Sequence, residues 1–117
     1  MKIMIKRVYD EPEKSDGKRI LIDRLWPRGL SKEVAGIDLW HAEIAPSTKL
    51  RQWFDHDPKK WEEFKRKYTK ELKENKESVR KLKDYLSTCS YAALLFAAIS
   101  LEFNHAVVLK EFLEGKS

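Results

Sequence analysis

Charged and polar side chains directly follow the aliphatic run at residues 20–22. Asp23 and Arg24 end the run, and Arg28 lies beyond a turn that contains Trp26. Charge at the end of a buried strand costs free energy unless it is paired or used. Arginine guanidinium groups are rigid, permanently charged forks that suit phosphate or carboxylate. The stretch predicts an anion site that uses Arg24 and Arg28, with Trp26 as a pocket wall. The alternative is an ion pair between Asp23 and one of the arginines that fixes the loop.

A second group of candidate residues, Glu102, Asn104 and His105, lies near the end of the chain. A helix capped by Ser100 is predicted here, and a helix start offers free N–H groups and partial positive charge to anions. Glu102 and His105 would be neighbours on one helix face, and with Asp23 they are the candidate acids and bases. Asn104 would orient a ligand by hydrogen bonds. The alternative is that Glu102 only pairs with His105 or stabilises the helix start.

His56 stands between Asp55 and Asp57, directly before Pro58. We include His56 among the candidate ligand-binding residues. The three adjacent residues could ligate a metal ion, but such residues before a helix are more often caps and turn formers. No Cys or His spacing matches zinc, so no metal site is predicted.

The basic residues are concentrated in segment 59–83, and the formal net charge is +5. That segment holds eleven Lys and Arg against five Asp and Glu, a mixture typical of a solvated helical face. Nucleic-acid binding by this face is the alternative. No apolar run approaches the roughly 20 residues of a membrane helix. The single cysteine, Cys89, excludes an internal disulfide and favours a reduced, cytoplasmic location.

The remaining pattern predicts one α/β domain that spans residues 1–117. Strands are expected at residues 3–9 and 19–25, and the apolar run 91–98 suits a central strand covered on both faces. Short helical pieces are expected at 31–34 and 38–41. The longer helices are predicted from apolar stripes whose members are Trp61, Phe64, Tyr68 and Leu72, then Val79, Leu82 and Leu86, then Phe103, Val107, Leu109 and Leu113.

The connection between the first two strands is short, about the length of a generous hairpin. A parallel crossover usually needs a dozen or more residues, so the length by itself favours antiparallel pairing.

Five motifs in combination resemble the YeaO-like family, within a larger domain group of unknown function. They are residues 7–10 (RVYD), 23–29 (DRLWPRG), 45–48 (APST), 53–58 (WFDHDP) and 102–109 (EFNHAVVL). The resemblance implies a small α/β domain with a mostly parallel sheet of about three strands covered by helices, and we adopt the parallel sheet over the hairpin.

The resemblance implies little about activity, because the family has no settled function, and it leaves the cofactor unknown. Cysteine-bearing relatives in the wider group have Cys-His-Arg where this chain has Asn104, His105 and Ala106. That departure argues against a thiol-based mechanism. The leading hypothesis is a pocket for a small anionic ligand, phosphorylated or nucleotide-like, where the strand ends meet. The alternatives are a nucleic-acid-binding module and an interaction protein without a ligand.

Overall fold

The computed structural model describes residues 2–115, which contain one sheet of four strands. Every strand pair is parallel, so the predicted α/β class and parallel sheet are confirmed, with one strand more than expected. The strands are β1 (Lys2–Arg7), β2 (Lys18–Leu21), β3 (Leu39–Trp40) and β4 (Tyr91–Phe96), and their spatial order is β1-β4-β2-β3.

The hairpin favoured by the short connection between β1 and β2 is wrong, because β4 lies between them and pairs with both. Tyr91 pairs with Lys2 on one side, and Ala92 pairs with Lys18 on the other. The connection returns to the amino end of the sheet, where Gly17 lies against Tyr91. The length of a connection constrains direction only for strands that are joined by a tight turn, and these two are not.

The segment at residues 38–41 was expected to be helical, and that expectation is wrong. Its backbone extends the sheet instead: the Asp38 N–H donates to Arg19 O at 2.8 Å, and the His41 N–H donates to Leu21 O at 2.9 Å. The Asp38 carboxylate accepts the Arg19 N–H at 2.8 Å and caps no helix. Pairing with β2 therefore overrides the local preference.

Five α-helices complete the described residues, and none of them has the length and apolar character needed to cross a membrane. The helices predicted from the stripes at residues 61–72 and 79–86 are separate, because the helical backbone is interrupted at Asn75. The helices are α1 (Lys32–Ala35), α2 (Thr48–Phe54), α3 (Trp61–Glu74), α4 (Lys76–Leu86) and α5 (His105–Leu113). Single 3-10 turns occur at Lys14–Asp16, Ala42–Ile44 and Pro58–Lys60.

The larger part of the core lies between α2–α5 and one face of the sheet. The stripe predicted on α3 is buried, and Tyr68 is completely enclosed, with its hydroxyl donating to Ile44 O at 2.7 Å. Burial raises the pKa of this phenol well above its ordinary value. Tyr68 is thus a neutral core residue, and its ring packs against that of His105, with centroids 6.2 Å apart.

The opposite face of the sheet is covered by the loop that follows β2. Leu95 and Ala93 of β4 point to this face with Leu21, and Trp26, Leu30 and Ile37 pack over them. Side chains alternate along a strand, so β4 supplies both layers of the core, as its two-sided apolar sequence predicts.

A buried ionic network joins β1, β2 and α1. The Asp16 carboxylate contacts Lys6 Nζ at 3.0 Å and Arg19 Nη1 at 2.6 Å, and its side chain is only 2% exposed. Arg19 also donates to the Ala35 and Gly36 carbonyls at the end of α1. These bonds fix the connection between β1 and β2.

Candidate functional site at the carboxyl edge of the sheet

The carboxyl ends of β2 and β4 meet at one edge of the sheet, because the two strands are adjacent and parallel. The Ile22 N–H donates to Leu95 O at 3.1 Å, and the Ala97 N–H donates to Asp23 Oδ2 at 2.9 Å. The two groups of candidate residues, which lie about eighty positions apart in the chain, are therefore in direct contact.

His105 is the link between these groups. Its Nε2 lies 3.0 Å from Ile22 O, and a carbonyl oxygen can only accept, so Nε2 carries a proton. Asp23 Oδ1 lies 3.0 Å from the same nitrogen, which suits an ion pair when the ring is charged. This buried oxygen nevertheless accepts no hydrogen bond within residues 2–115, since the N–H is directed to Ile22. The alternative of an ion pair between Asp23 and Arg24 or Arg28 is therefore not what the structure shows, since Asp23 faces His105 instead.

Asn104 is the N-cap of α5, so the prediction that Ser100 caps this helix is wrong. Asn104 Oδ1 accepts the Val107 N–H at 3.2 Å, and Nδ2 donates to Ser100 O at 2.8 Å. The side chain is almost fully buried, and these bonds employ both ends of its amide. Ser100 Oγ instead accepts the N–H groups of Glu102 and Phe103 in the preceding turn. Asn104 therefore fixes the helix start on which His105 stands.

Substitution of Asn104 by alanine should lower the free energy of unfolding by about 1–2 kcal/mol, because it removes a buried N-cap and leaves the Ser100 carbonyl without its donor. Urea unfolding followed by circular dichroism measures this loss. Ser31→Ala is the matched control, because Ser31 caps the exposed α1 through a single bond to the Val34 N–H. An equal loss in both variants would show that the buried cap at Asn104 stabilises the protein no more than the exposed cap at Ser31.

A cavity of about 740 Å³ opens at this edge, and we call it the edge pocket. Seven of the eight candidate residues line it, and Glu102 alone among them does not. Its walls are Tyr9, Asp23, Arg24, Leu25, Trp26, Pro27, Arg28, Ala45, Pro46, Arg51, Phe54, His56, Phe64, Ala97, Ala98, Ile99, Ser100, Phe103, Asn104 and His105.

Glu102 is exposed and lies before α5, which begins at His105. The expected contact between Glu102 and His105 depended on both residues occupying one helical turn, and they do not. His105 is paired with Asp23 instead.

The three arginines of the edge pocket differ in what they already bind. Arg24 Nη2 donates to Ala45 O at 3.0 Å, with longer contacts to Pro46 O. The Arg28 and Arg51 side chains are exposed, and neither makes a hydrogen bond or an ion pair within the described part of the chain. Arg28 and Arg51 thus keep all of their donors for a ligand.

The segment around His56 is a tight link between α2 and the turn that precedes α3. Asp55 and His56 adopt left-handed backbone conformations, with φ of 45° and 57°, and Asp57 accepts the Lys59 N–H as a cap. Within residues 2–115 no three side chains of His, Cys, Asp or Glu are placed to hold a metal ion. The alternative of caps and turn formers describes the Asp residues, while His56 itself lines the edge pocket.

Arg51 and Tyr9 were not among the candidate residues, although both line the edge pocket. Tyr9 belongs to the first motif of the family resemblance, and its hydroxyl donates to Arg28 O at 3.0 Å. The Arg7 guanidinium stands 5.2 Å from the Tyr9 ring and donates to the Ala98 carbonyl at 3.0 Å. Tyr9 is therefore bonded to the loop that carries Arg28 and is linked through Arg7 to the residues that follow β4. Arg51 carries no local signal, because only the packing of α2 brings it to the edge.

The basic residues of segment 59–83 lie on the solvent-facing sides of α3 and α4. Two of its cations are paired, Lys67 with Glu63 at 3.3 Å and Arg80 with Glu77 at 2.6 Å. Lys67 also stands 4.4 Å from the Trp53 ring. The mixed-sign character expected for this face is visible in these contacts.

These features define a small α/β protein with an arginine-lined pocket at the carboxyl edge of a parallel sheet. The chain belongs to the family described as the inactive DUF488-N3 subclade, whose model matches residues 2–117. The resemblance to YeaO-like proteins is confirmed: the uncharacterised protein YeaO of Escherichia coli (strain K12) is 42% identical over 115 residues, which cover 98% of this chain and 99% of that protein.

The uncharacterised protein Rv3073c of Mycobacterium tuberculosis is 32% identical over 115 residues, which cover 98% of this chain and 96% of that protein. The uncharacterised protein Mb3100c of Mycobacterium bovis matches to the same extent. No solved structure matches the chain.

Proposed function

We propose that the protein binds a small anionic ligand, phosphorylated or nucleotide-like, in the edge pocket. The observation that carries this proposal is the charge of the lining, which holds three arginines and a single carboxylate, Asp23. That carboxylate accepts the Ala97 N–H through Oδ2, and its Oδ1 faces His105. The position also agrees with the general rule that open α/β sheets bind ligands at the carboxyl ends of their strands.

In this proposal Arg28 and Arg51 contact the anion directly, and Arg24 adds charge from the wall. Asn104 contributes by fixing the start of α5 rather than by a free amide, since both ends of its side chain are bonded. His105 and Asp23, the candidate base and acid, shape the floor of the pocket. The description of the family as inactive supports a binding role over catalysis. Glu102 has no part, because it is exposed outside the pocket.

Arg28→Ala should weaken binding of phosphate-bearing ligands by about tenfold to a hundredfold, the usual cost of losing a charge-assisted hydrogen bond. Ligand-induced thermal stabilisation measures the effect with a panel of sugar phosphates and nucleotides. Arg80→Ala, an exposed arginine paired with Glu77 on α4, is the control and should change nothing. If Arg28→Ala melts several degrees lower and the wild-type protein responds to no ligand, the loop is structural and the proposal fails.

Binding assays on the wild-type protein distinguish the two alternatives, nucleic-acid binding and interaction without a ligand. Binding by segment 59–83 would fall steeply with salt, because each neutralised phosphate releases counterions. If a filter assay at low salt retains neither DNA nor RNA, the nucleic-acid alternative is excluded. If in addition no small ligand binds the edge pocket, the alternative of an interaction protein without a ligand remains. A cytoplasmic location follows from the use of a single cysteine and remains a prediction.

A further inference from the structure

We infer that the ligand of the edge pocket carries a flat aromatic ring in addition to its anionic group, as a nucleoside monophosphate does. This inference rests on the proposed function and narrows it, because a ring is required where a phosphorylated sugar would otherwise suffice. It depends on two features of the pocket: its volume, and the aromatic side chains that line it together with the free arginines.

The volume exceeds what an anionic group needs. Pockets for ligands of drug size span roughly 300–1,000 Å³, and the edge pocket, at about 740 Å³, falls within that range. A phosphate bound by the arginines would leave most of this space to the rest of the ligand. Most of the other lining residues are apolar, so a sugar without an aromatic ring would leave much of this apolar surface without contacts.

One wall of the pocket is a connected set of aromatic rings. The Phe54 and Phe64 rings stack at 4.3 Å between centroids, and Phe103 meets the edge of Trp61 at 5.5 Å. Phe54, Phe64 and Phe103 all line the cavity, and their mutual contacts hold the rings in place. Phe54 and Phe64 are almost fully buried, so the half-buried Phe103 is the ring of this set that can pack against a ring of the ligand.

The loop after β2 contributes Trp26 and Arg28 to the lining. Trp26 is held by its indole N–H, which donates to Leu30 O at 2.7 Å, and by the edge of the Trp40 ring at 5.4 Å. Arg28 and Arg51, with exposed guanidinium groups, stand at solvent-accessible positions of the lining. A ring packed against Phe103 or Trp26, with an anion at these arginines, would satisfy the apolar and the charged parts of the lining together.

Binding of four probes, measured by isothermal titration calorimetry, tests the inference: inorganic phosphate, ribose 5-phosphate, adenosine and adenosine 5′-monophosphate. The monophosphate should bind at least about tenfold more tightly than ribose 5-phosphate, as expected for one stacked ring, and more tightly than adenosine, which lacks the anion. Phe103→Leu should reduce the affinity for the monophosphate by a factor of about five more than that for ribose 5-phosphate. Phe112→Leu, at a half-buried phenylalanine of α5 outside the lining, is the control for the fold.

The outcomes separate this inference from the proposed function. Equal affinity for ribose 5-phosphate and the monophosphate, unaffected by Phe103→Leu, would overturn the ring and leave the anion site standing. Adenosine binding as tightly as the monophosphate, with no effect of Arg28→Ala, would overturn the anion site and with it the inference. Binding of none of the probes would overturn both.

Discussion

Replacement of Asp16 by alanine is expected to lower the free energy of unfolding by about 3 kcal/mol or more, since it leaves a buried arginine without its carboxylate. Asp16 contacts Lys6 and Arg19, and the Arg19 side chain is only 4% exposed. Arg19 retains its bonds to the carbonyls at the end of α1, which places the expected loss at the lower end for a broken buried pair. Denaturation by urea measures it.

Glu13→Ala is the matched control for Asp16. Glu13 contacts the same Lys6 Nζ at 2.8 Å, but its side chain is 65% exposed. Exposed ion pairs contribute about 0–1 kcal/mol, so the control should lose little. Similar losses in the two variants would show that burial of the Asp16 network does not matter for stability.

The same network gives the stability a pH dependence with a definite sign. Burial by itself would raise the pKa of the Asp16 carboxyl, but hydrogen bonds from the Glu13 N–H, Lys6 and Arg19 outweigh it, so the pKa lies below its usual value of 3.8. A group with a depressed pKa in the folded state contributes stability above its unfolded pKa and loses it as pH falls through the folded pKa. The free energy of unfolding should therefore decline in acid below the usual pKa, and Asp16→Ala should flatten that decline.

Gly17→Ala is expected to be the most damaging single-methyl change in the described chain, at about 3 kcal/mol or complete loss of folding. Gly17 has φ of 67° and ψ of −137°, a conformation that is essentially restricted to glycine. An added Cβ would lie 2.6 Å from the Tyr91 carbonyl carbon and closer still to its oxygen. Tyr91 opens the central strand β4, so this backbone cannot move aside without disturbing both neighbouring strands.

Gly29→Ala is the control that separates the steric contact with Tyr91 from the backbone strain of a positive φ. Gly29 also has a positive φ, of 81°, but an added Cβ would meet nothing within 4 Å. This variant should lose only the conformational part, about 1 kcal/mol. Thermal unfolding of both variants is the measurement, and equal melting temperatures would show that the contact with Tyr91 is not limiting.

Much of the geometry of the candidate site was predictable because its two halves follow two strands. Asp23 and His105 were singled out as charges at strand or helix ends, and parallel neighbours bring such ends to one edge. Seven of the eight candidate residues consequently line one cavity. Glu102 was placed by assuming that α5 begins after Ser100, and a start at His105 removes it. A helix boundary of a few residues decides which side chains share a face.

The sequence by itself determined the elements whose pattern is local and periodic. The stripe from Trp61 to Leu72 specifies one buried face of α3, and the two-sided apolar run of β4 specifies a strand covered on both sides. Only the tertiary structure decided that β4 separates β1 from β2, that residues 39–40 pair as a strand, and that Arg51 reaches the edge pocket. These outcomes depend on which surfaces pack best across long distances in the chain, and no local spacing of residues encodes that choice.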